Sequence, residues 1–330
     1  DLQTWGEESR NSVALAVKEI NASGGIDGKP IQVIYEDGAC NGAKAVTSAK
    51  KLIDVDKVKI IITWCSQEAM SIAPVAAQSK VIEFVSAATA PELTNINDYT
   101  FRISPSDKVT GDLLADLVSF KHKRAAIITE NSSFSNSLRT NFLSKIGSST
   151  KVVFDETFDP GLRDFRSLVS KIKASNPDAV FINGNSTIQA ALIVKQLADV
   201  KLAVPFYGAY FASDPEFIKI TGKAAEGFTF VEFIADPNQD SVKKFLAAYK
   251  QEYGNEAPHP QFAALSYDAP YVLKQAIEKA GQDPEKLKVY FKNLREIDSV
   301  LGKFKIVNGD VDSSIFKVRR IENGIPVNVQ

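Results

Sequence analysis

Short apolar runs alternate with amphipathic stretches along most of this chain. Residues 5–22 place Val13, Ala16, Val17 and Ile20 at helical spacing, and Gly24-Gly25 ends the run. A strand is predicted over 31–36, a helix over 43–53 with Ala45, Val46, Ala49 and Leu52 inward, and strands over 58–63 and 81–85. After a Pro-containing extended link at 101–107 the pattern resumes. Helices are predicted over 108–120, 136–146, 165–174 and 187–198, and strands over 125–129, 152–156, 179–182 and 204–207. Such alternation is the signature of βαβ units around a parallel sheet. Past a second link at 234–238 come predicted helices over 242–253, 262–280 and 284–293 and strand-like runs over 302–307, 315–321 and 326–329. That region reads as material completing two doubly wound domains.

Two hydroxyls fall where a buried strand ends and a helix should begin: Ser66, after Cys65, and Thr89, after Ser86-Ala87-Ala88. The carboxyl ends of parallel strands are where open α/β sheets bind ligands. Helix N-termini offer unpaired N–H groups to a small anion. The same residues also suit plain helix caps, Ser66 as an N-cap and Thr89 with Glu92 as a capping box.

Composition narrows the choice. With 330 residues the chain can bury two cores, and 39 Lys plus Arg against 40 Asp plus Glu leave a net charge of −1, without the basic excess of a nucleic-acid binder. It carries no run long and apolar enough to span a bilayer and no basic-then-apolar leader, so a soluble chain with any export signal removed is expected. Cys40 and Cys65 each close a predicted strand; they form either a disulfide, which would place the protein outside the cytosol, or two buried thiols. The two histidines, His122 and His259, have no partners at metal-ligand or triad spacing, so no metal or other cofactor is expected, and His259 between two prolines reads as a loop residue.

The succession Gly24-Gly25-Ile26-Asp27-Gly28-Lys29-Pro30, Glu36-Asp37-Gly38-Ala39-Cys40, Cys65-Ser66, Ala87-Ala88-Thr89-Ala90-Pro91-Glu92-Leu93, Phe101-Arg102-Ile103-Ser104-Pro105-Ser106-Asp107, Asp164-Phe165, Pro177-Asp178-Ala179-Val180, Gly222-Lys223-Ala224-Ala225-Glu226-Gly227 and Tyr267-Asp268-Ala269 resembles the leucine/isoleucine/valine-binding proteins. These are periplasmic solute-binding proteins of ABC importers. The resemblance implies an α/β fold of two doubly wound parallel-sheet lobes joined by three hinge crossovers, near residues 104–107, 235 and 313. Lobe 1 would hold residues 1–105 with 236–314, and lobe 2 residues 106–235 with 315–330, closing on a ligand in the cleft. It also implies a Cys40–Cys65 disulfide, a periplasmic or extracellular location with a lipid anchor left open, a membrane permease as partner, and a monomer.

Residue by residue, the resemblance assigns the ligand carboxylate to Ser66 and Thr89, with the backbone of Ala87 beside them. Trp5 and Phe262 would line the ligand's side chain. From lobe 2, Phe134 replaces a family tyrosine and Ser135 its glycine, while Asn185 and Ser186 form another ligand-facing loop. Where amino-acid binders of the family present an acid to the ligand's ammonium, this chain has Tyr210. A buried ammonium needs a carboxylate partner. Either Glu232 or Asp214 supplies it, or the ligand is a branched or aromatic acid without the amine. The family's opening strand, central to the lobe 1 sheet, has no counterpart before Asp1, so residues lost from the N-terminus, or another element in the gap, are expected. The leading function is a solute-binding protein for a small carboxylate such as a branched-chain amino acid; the alternative is a ligand-sensing domain of a receptor or regulator. An enzyme is disfavoured, because Glu232, Asp214 and Glu130 have no visible catalytic partner.

Overall fold

The structure is a computed structural model and describes residues 2–312 and 315–329. It divides into two compact units, Leu2–Ser106 with 234–312 and Asp107–Phe233 with 315–329. The crossover expected near Ser313 lies outside the described residues.

The first unit opens with α1 (Leu2–Ala22) and α2 (Gly42–Asp54), then β1 (Ile60–Thr63), α3 (Ser66–Ser79), β2 (Ile82–Val85) and β3 (Thr100–Arg102). Asn41 starts α2 by accepting the N–H of Lys44, and Ala45, Ala49 and Leu52 form its buried stripe. The three strands are parallel in the order β1-β2-β3, with Ile60 opposite Ile82 and Phe84 opposite Phe101. Every residue of β2 is buried, as expected of a parallel strand covered on both faces.

The second unit runs α4 (Asp107–Lys121), β4 (Arg124–Glu130), α5 (Ser133–Lys145), β5 (Lys151–Phe158), α6 (Arg166–Ala174), β6 (Ala179–Asn183), α7 (Thr187–Asp199), β7 (Phe206–Gly208), α8 (Pro215–Thr221) and β8 (Thr229–Phe233). The chain then returns to the first unit through α9 (Asp240–Tyr253), α10 (Pro260–Ala280), α11 (Pro284–Asn293), β9 (Glu296–Ser299), β10 (Gly302–Val307) and β11 (Asp310–Val311). It ends in the second with β12 (Phe316–Glu322) and β13 (Ile325–Asn328). The second unit's sheet is ordered β13-β12-β8-β7-β6-β4-β5; β12 pairs antiparallel with both β13 and β8, and the other pairs are parallel. Its core gathers Phe211, Phe217, Phe228 and Phe230. Gly208 is required there, because a Cβ would lie 2.6 Å from the Phe211 ring and 2.7 Å from that of Phe228. The α/β, parallel-sheet class expected from the sequence is the one observed.

Two local expectations change. Residues 31–36 form no strand: the N–H and C=O of Ile31 both bond the Asn21 side chain, and no ladder follows. β1 is an edge strand, and a cavity of about 1170 Å³ is lined both by it and by that segment. In addition, 100–102 and 229–233 are strands, although the first reads as an extended link and no strand is predicted over the second.

Candidate functional site

The first unit gathers its candidate residues at the carboxyl ends of β1 and β2. Ser66 is the first residue of α3 rather than its cap; Cys65 takes the cap position and makes no side-chain capping bond. The Ser66 Oγ instead accepts the N–H of Ala90 at 3.3 Å, which ties it to the residue after Thr89. Thr89 precedes a single 3₁₀ turn over Pro91–Leu93 whose cap position falls on Ala90, so no capping box with Glu92 forms. Both plain-cap readings therefore fall. Ser66 and Thr89 are buried, at 5% and 3% exposure, and Ala87 is buried beside them.

Residues from β3 and beyond hold this loop in place. Arg102 donates to the Ala90 carbonyl at 2.7 Å and to Thr94 Oγ1 at 3.0 Å, and it pairs with Asp310. Ser104 donates to the Ala88 carbonyl. Ser86 Oγ donates to the Thr63 carbonyl at 3.0 Å and locks the β2 end to β1. The Cys40–Cys65 disulfide is formed, with Cα atoms 5.7 Å apart. Glu68 accepts the Cys40 N–H at 2.8 Å, and burial holds its carboxyl above the usual range.

Trp5 and Phe262 come together, with ring centroids 5.0 Å apart in an edge-on contact. His259 is no loop bystander. It is buried, stacks on Trp5 with centroids 3.6 Å apart, and is bound by Glu8 through its own N–H at 2.8 Å and its ring Nδ1 at 2.9 Å.

In the second unit the candidates lie beyond β4, β6 and β7. Phe134 and Ser135 sit in the first turn of α5, capped by Ser132. Asn185 and Ser186 precede α7, with Ser186 as its cap. Two residues at strand ends connect these loops. Glu130, the last residue of β4, accepts the N–H groups of Asn185 and Ser186 at 2.7 and 2.8 Å. Asn183, the last residue of β6, donates to the Ser135 carbonyl at 2.7 Å. Burial raises the Glu130 carboxyl above its usual range, against the pull of those two amides.

Tyr210 is buried, not a solvent-facing loop residue. Its hydroxyl donates to Asp107 Oδ1 at 2.7 Å and lies 3.1 Å from Thr110 Oγ1, while its ring meets Phe233 edge-on at 5.4 Å and Phe134 at 6.3 Å. Burial, reinforced by Asp107, pushes its phenol well above the usual range. The two acids considered as replacements already have roles inside the unit. Glu232 pairs with Arg319 at 2.6 Å, and Asp214 caps α8 through the Glu216 N–H and accepts from Thr187. Asp107, which the sequence places only in the link before a helix, is the carboxylate that Tyr210 touches.

The sequence profile of the periplasmic binding protein family matches residues 1–316. The chain belongs to that family. A Leu/Ile/Val-binding protein of Rhizobium johnstonii is 29% identical over 335 residues, covering 98% of this chain and 89% of its own. Among solved structures, a leucine binding protein of Thermotoga maritima superposes with a TM-score of 0.88 at 28% identity, covering 100% of this chain and 95% of the other. A solute binding protein of an ABC transporter from Rhodopseudomonas palustris, in complex with 3,4-dihydroxybenzoic acid, superposes with a TM-score of 0.83 at 25% identity, covering 98% and 91%.

For this periplasmic binding protein, Glu8 and Asn183 went unnamed in the sequence, while Arg102 and Asp107 stood only in the family-like motif and Glu130 only as an acid without a partner, none with the role it has here. All are polar, all are buried at 6% exposure or less, and each bonds a loop or side chain named above. The only advance signal was their type: a charged or amide side chain within an apolar run needs a partner. Among the described residues no group of His, Cys, Asp and Glu is arranged to hold a metal ion, and no helix is long and apolar enough to cross a membrane.

Proposed function

We propose that this chain is an extracytoplasmic solute-binding protein of an ABC importer that captures a small carboxylate with an apolar side chain, without chemical turnover. The observation carrying the reading is the pair Ser66 and Thr89: both buried at strand ends, neither used as a cap, and joined through the Ala90 amide. The first turn of the 14-residue α3 adds the positive end of a helix dipole where a carboxylate would sit. Trp5 and Phe262 supply the aromatic wall for the ligand's side chain, with Phe134, Asn185 and Tyr210 contributing from lobe 2 as the lobes close. The relatives' names support both a branched-chain amino acid and an aromatic acid as ligand class. The partner is a permease, and the protein acts as a monomer.

The test is calorimetry with leucine, isoleucine, valine, benzoate and 3,4-dihydroxybenzoate. Hydrogen bonds to a charged group contribute about 1.5–3 kcal/mol each. Ser66→Ala with Thr89→Ala should therefore weaken binding by roughly 10²- to 10⁴-fold while the fold persists. Full affinity in that double variant rejects the assigned site, and a preference for the acids lacking an amine would settle what Tyr210 signifies.

A further inference from the structure

Trp5 is the α1 residue assigned above to the ligand's side chain, and neighbouring side chains hold its ring. One face is covered by the His259 imidazole, stacked at 3.6 Å between centroids and 23° between planes. His259 is itself held at two points. Glu8, one helical turn beyond Trp5 on α1, holds the His259 backbone N–H with one carboxylate oxygen and the ring Nδ1 with the other, and both side chains are 3% exposed. A buried carboxylate bonded twice to one residue leaves that residue little freedom. Phe262, three residues on at the start of α10, closes the edge of the indole at 5.0 Å. The indole is thus held on one face and one edge.

We propose that His259, clamped by Glu8, sets the plane of the Trp5 indole and thereby selects which ligand side chains the protein accepts. This rests on the assignment of Trp5 to the ligand site, and it makes His259 and Glu8 positioning residues rather than ligand contacts. With the plane fixed, the surface offered to a flat ring and to a branched aliphatic chain is fixed with it. Without the stacked ring, the indole tilts into the released space and the two shapes are discriminated differently.

His259→Gln separates the ring from the clamp, because the amide side chain can still donate to Glu8 and the backbone N–H is untouched. Calorimetry with leucine and with 3,4-dihydroxybenzoate should show their affinity ratio moving by about tenfold, the scale of one lost pocket contact. In a Trp64→Phe background Trp5 is the sole tryptophan, and its emission anisotropy decay should gain a fast component in His259→Gln. Glu8→Gln with His259→Phe restores a flat ring without a buried charge, keeps an acceptor for the backbone N–H, and should return both readouts toward the parent values. An unchanged ratio together with unchanged anisotropy in folded His259→Gln overturns the proposal, and so does a folded Glu8→Gln/His259→Phe variant whose readouts stay at the His259→Gln values. Failure of the ligand site itself shows separately, as affinity retained in Ser66→Ala/Thr89→Ala; the anisotropy still judges the clamp in that case.

Discussion

Glu83 sits within β2 with no exposure at all, and among the described residues no cation pairs with it. Its carboxyl faces two hydroxyls, Thr100 Oγ1 at 2.9 Å and Thr63 Oγ1 at 3.3 Å. Burial pushes its pKa from the ordinary 4.5 up to about 8, against the smaller pull of those hydroxyls. Between these two values the native state keeps a proton that the unfolded chain has released, so raising the pH favours unfolding. The stability present below pH 4.5 is progressively lost as pH rises through 8, by roughly 5 kcal/mol in all at about 1.4 kcal/mol per unit. Glu83→Gln tests this directly. An amide has the shape of the protonated acid and can donate to one threonine while accepting from the other. Relative to the parent it should be near neutral at pH 5 and stabilising by about 4 kcal/mol at pH 8. Urea unfolding followed by tryptophan emission is the assay, because both tryptophans, Trp5 and Trp64, lie in the same unit as Glu83. Asp268, raised to about 7 by its own burial, is present in both proteins and drops out of the difference. A stability difference that stays constant from pH 5 to pH 8 would refute the reasoning.

The other expectations are simpler. Reducing the Cys40–Cys65 bridge, or replacing both residues by serine, reopens a loop with a sequence separation of 25 and should cost about 3 kcal/mol, read as a lower urea midpoint. Tyr210→Phe removes the donor that Asp107 accepts in a fully buried setting, and should destabilise the second unit by about 1–3 kcal/mol in thermal unfolding; an unchanged melting temperature would mean that Asp107 is satisfied without it.

The positions of Ser66 and Thr89 just past buried strands were legible in the sequence because each required only local information. A buried apolar run that stops at a serine or threonine marks a strand end, and strand ends are where a parallel sheet meets its ligand. The residues that hold those sites were illegible for the opposite reason. Glu8 bonds a residue 251 positions away, Arg102 one at 208, Asp107 one at 103 and Asn183 one at 48. Residues 31–36 erred the other way: their alternation suits a strand, but a strand exists only with a ladder partner, and among the described residues none pairs with this segment. Thr229–Phe233 went unread because its role depends on registry with Tyr207 and Gly208, settled only when the sheet forms.

One pattern joins the two units. In each, the buried peptide groups of a candidate loop are satisfied by side chains from a neighbouring strand or the residues just after it. Arg102 and Ser104 take the carbonyls of Ala90 and Ala88; Glu130 takes the amides of Asn185 and Ser186; Asn183 takes the Ser135 carbonyl. Leaving such groups unpaired would cost about 1–3 kcal/mol each. Because Arg102 and Ser104 meet that need, Ser66 and Thr89 are not needed to hold those carbonyls. Ser66 holds the Ala90 amide, so its substitution should cost about 1–3 kcal/mol of stability beside the loss of ligand affinity, whereas substitution of Arg102, whose side chain is 2% exposed and paired with Asp310, should register in stability far more than in affinity.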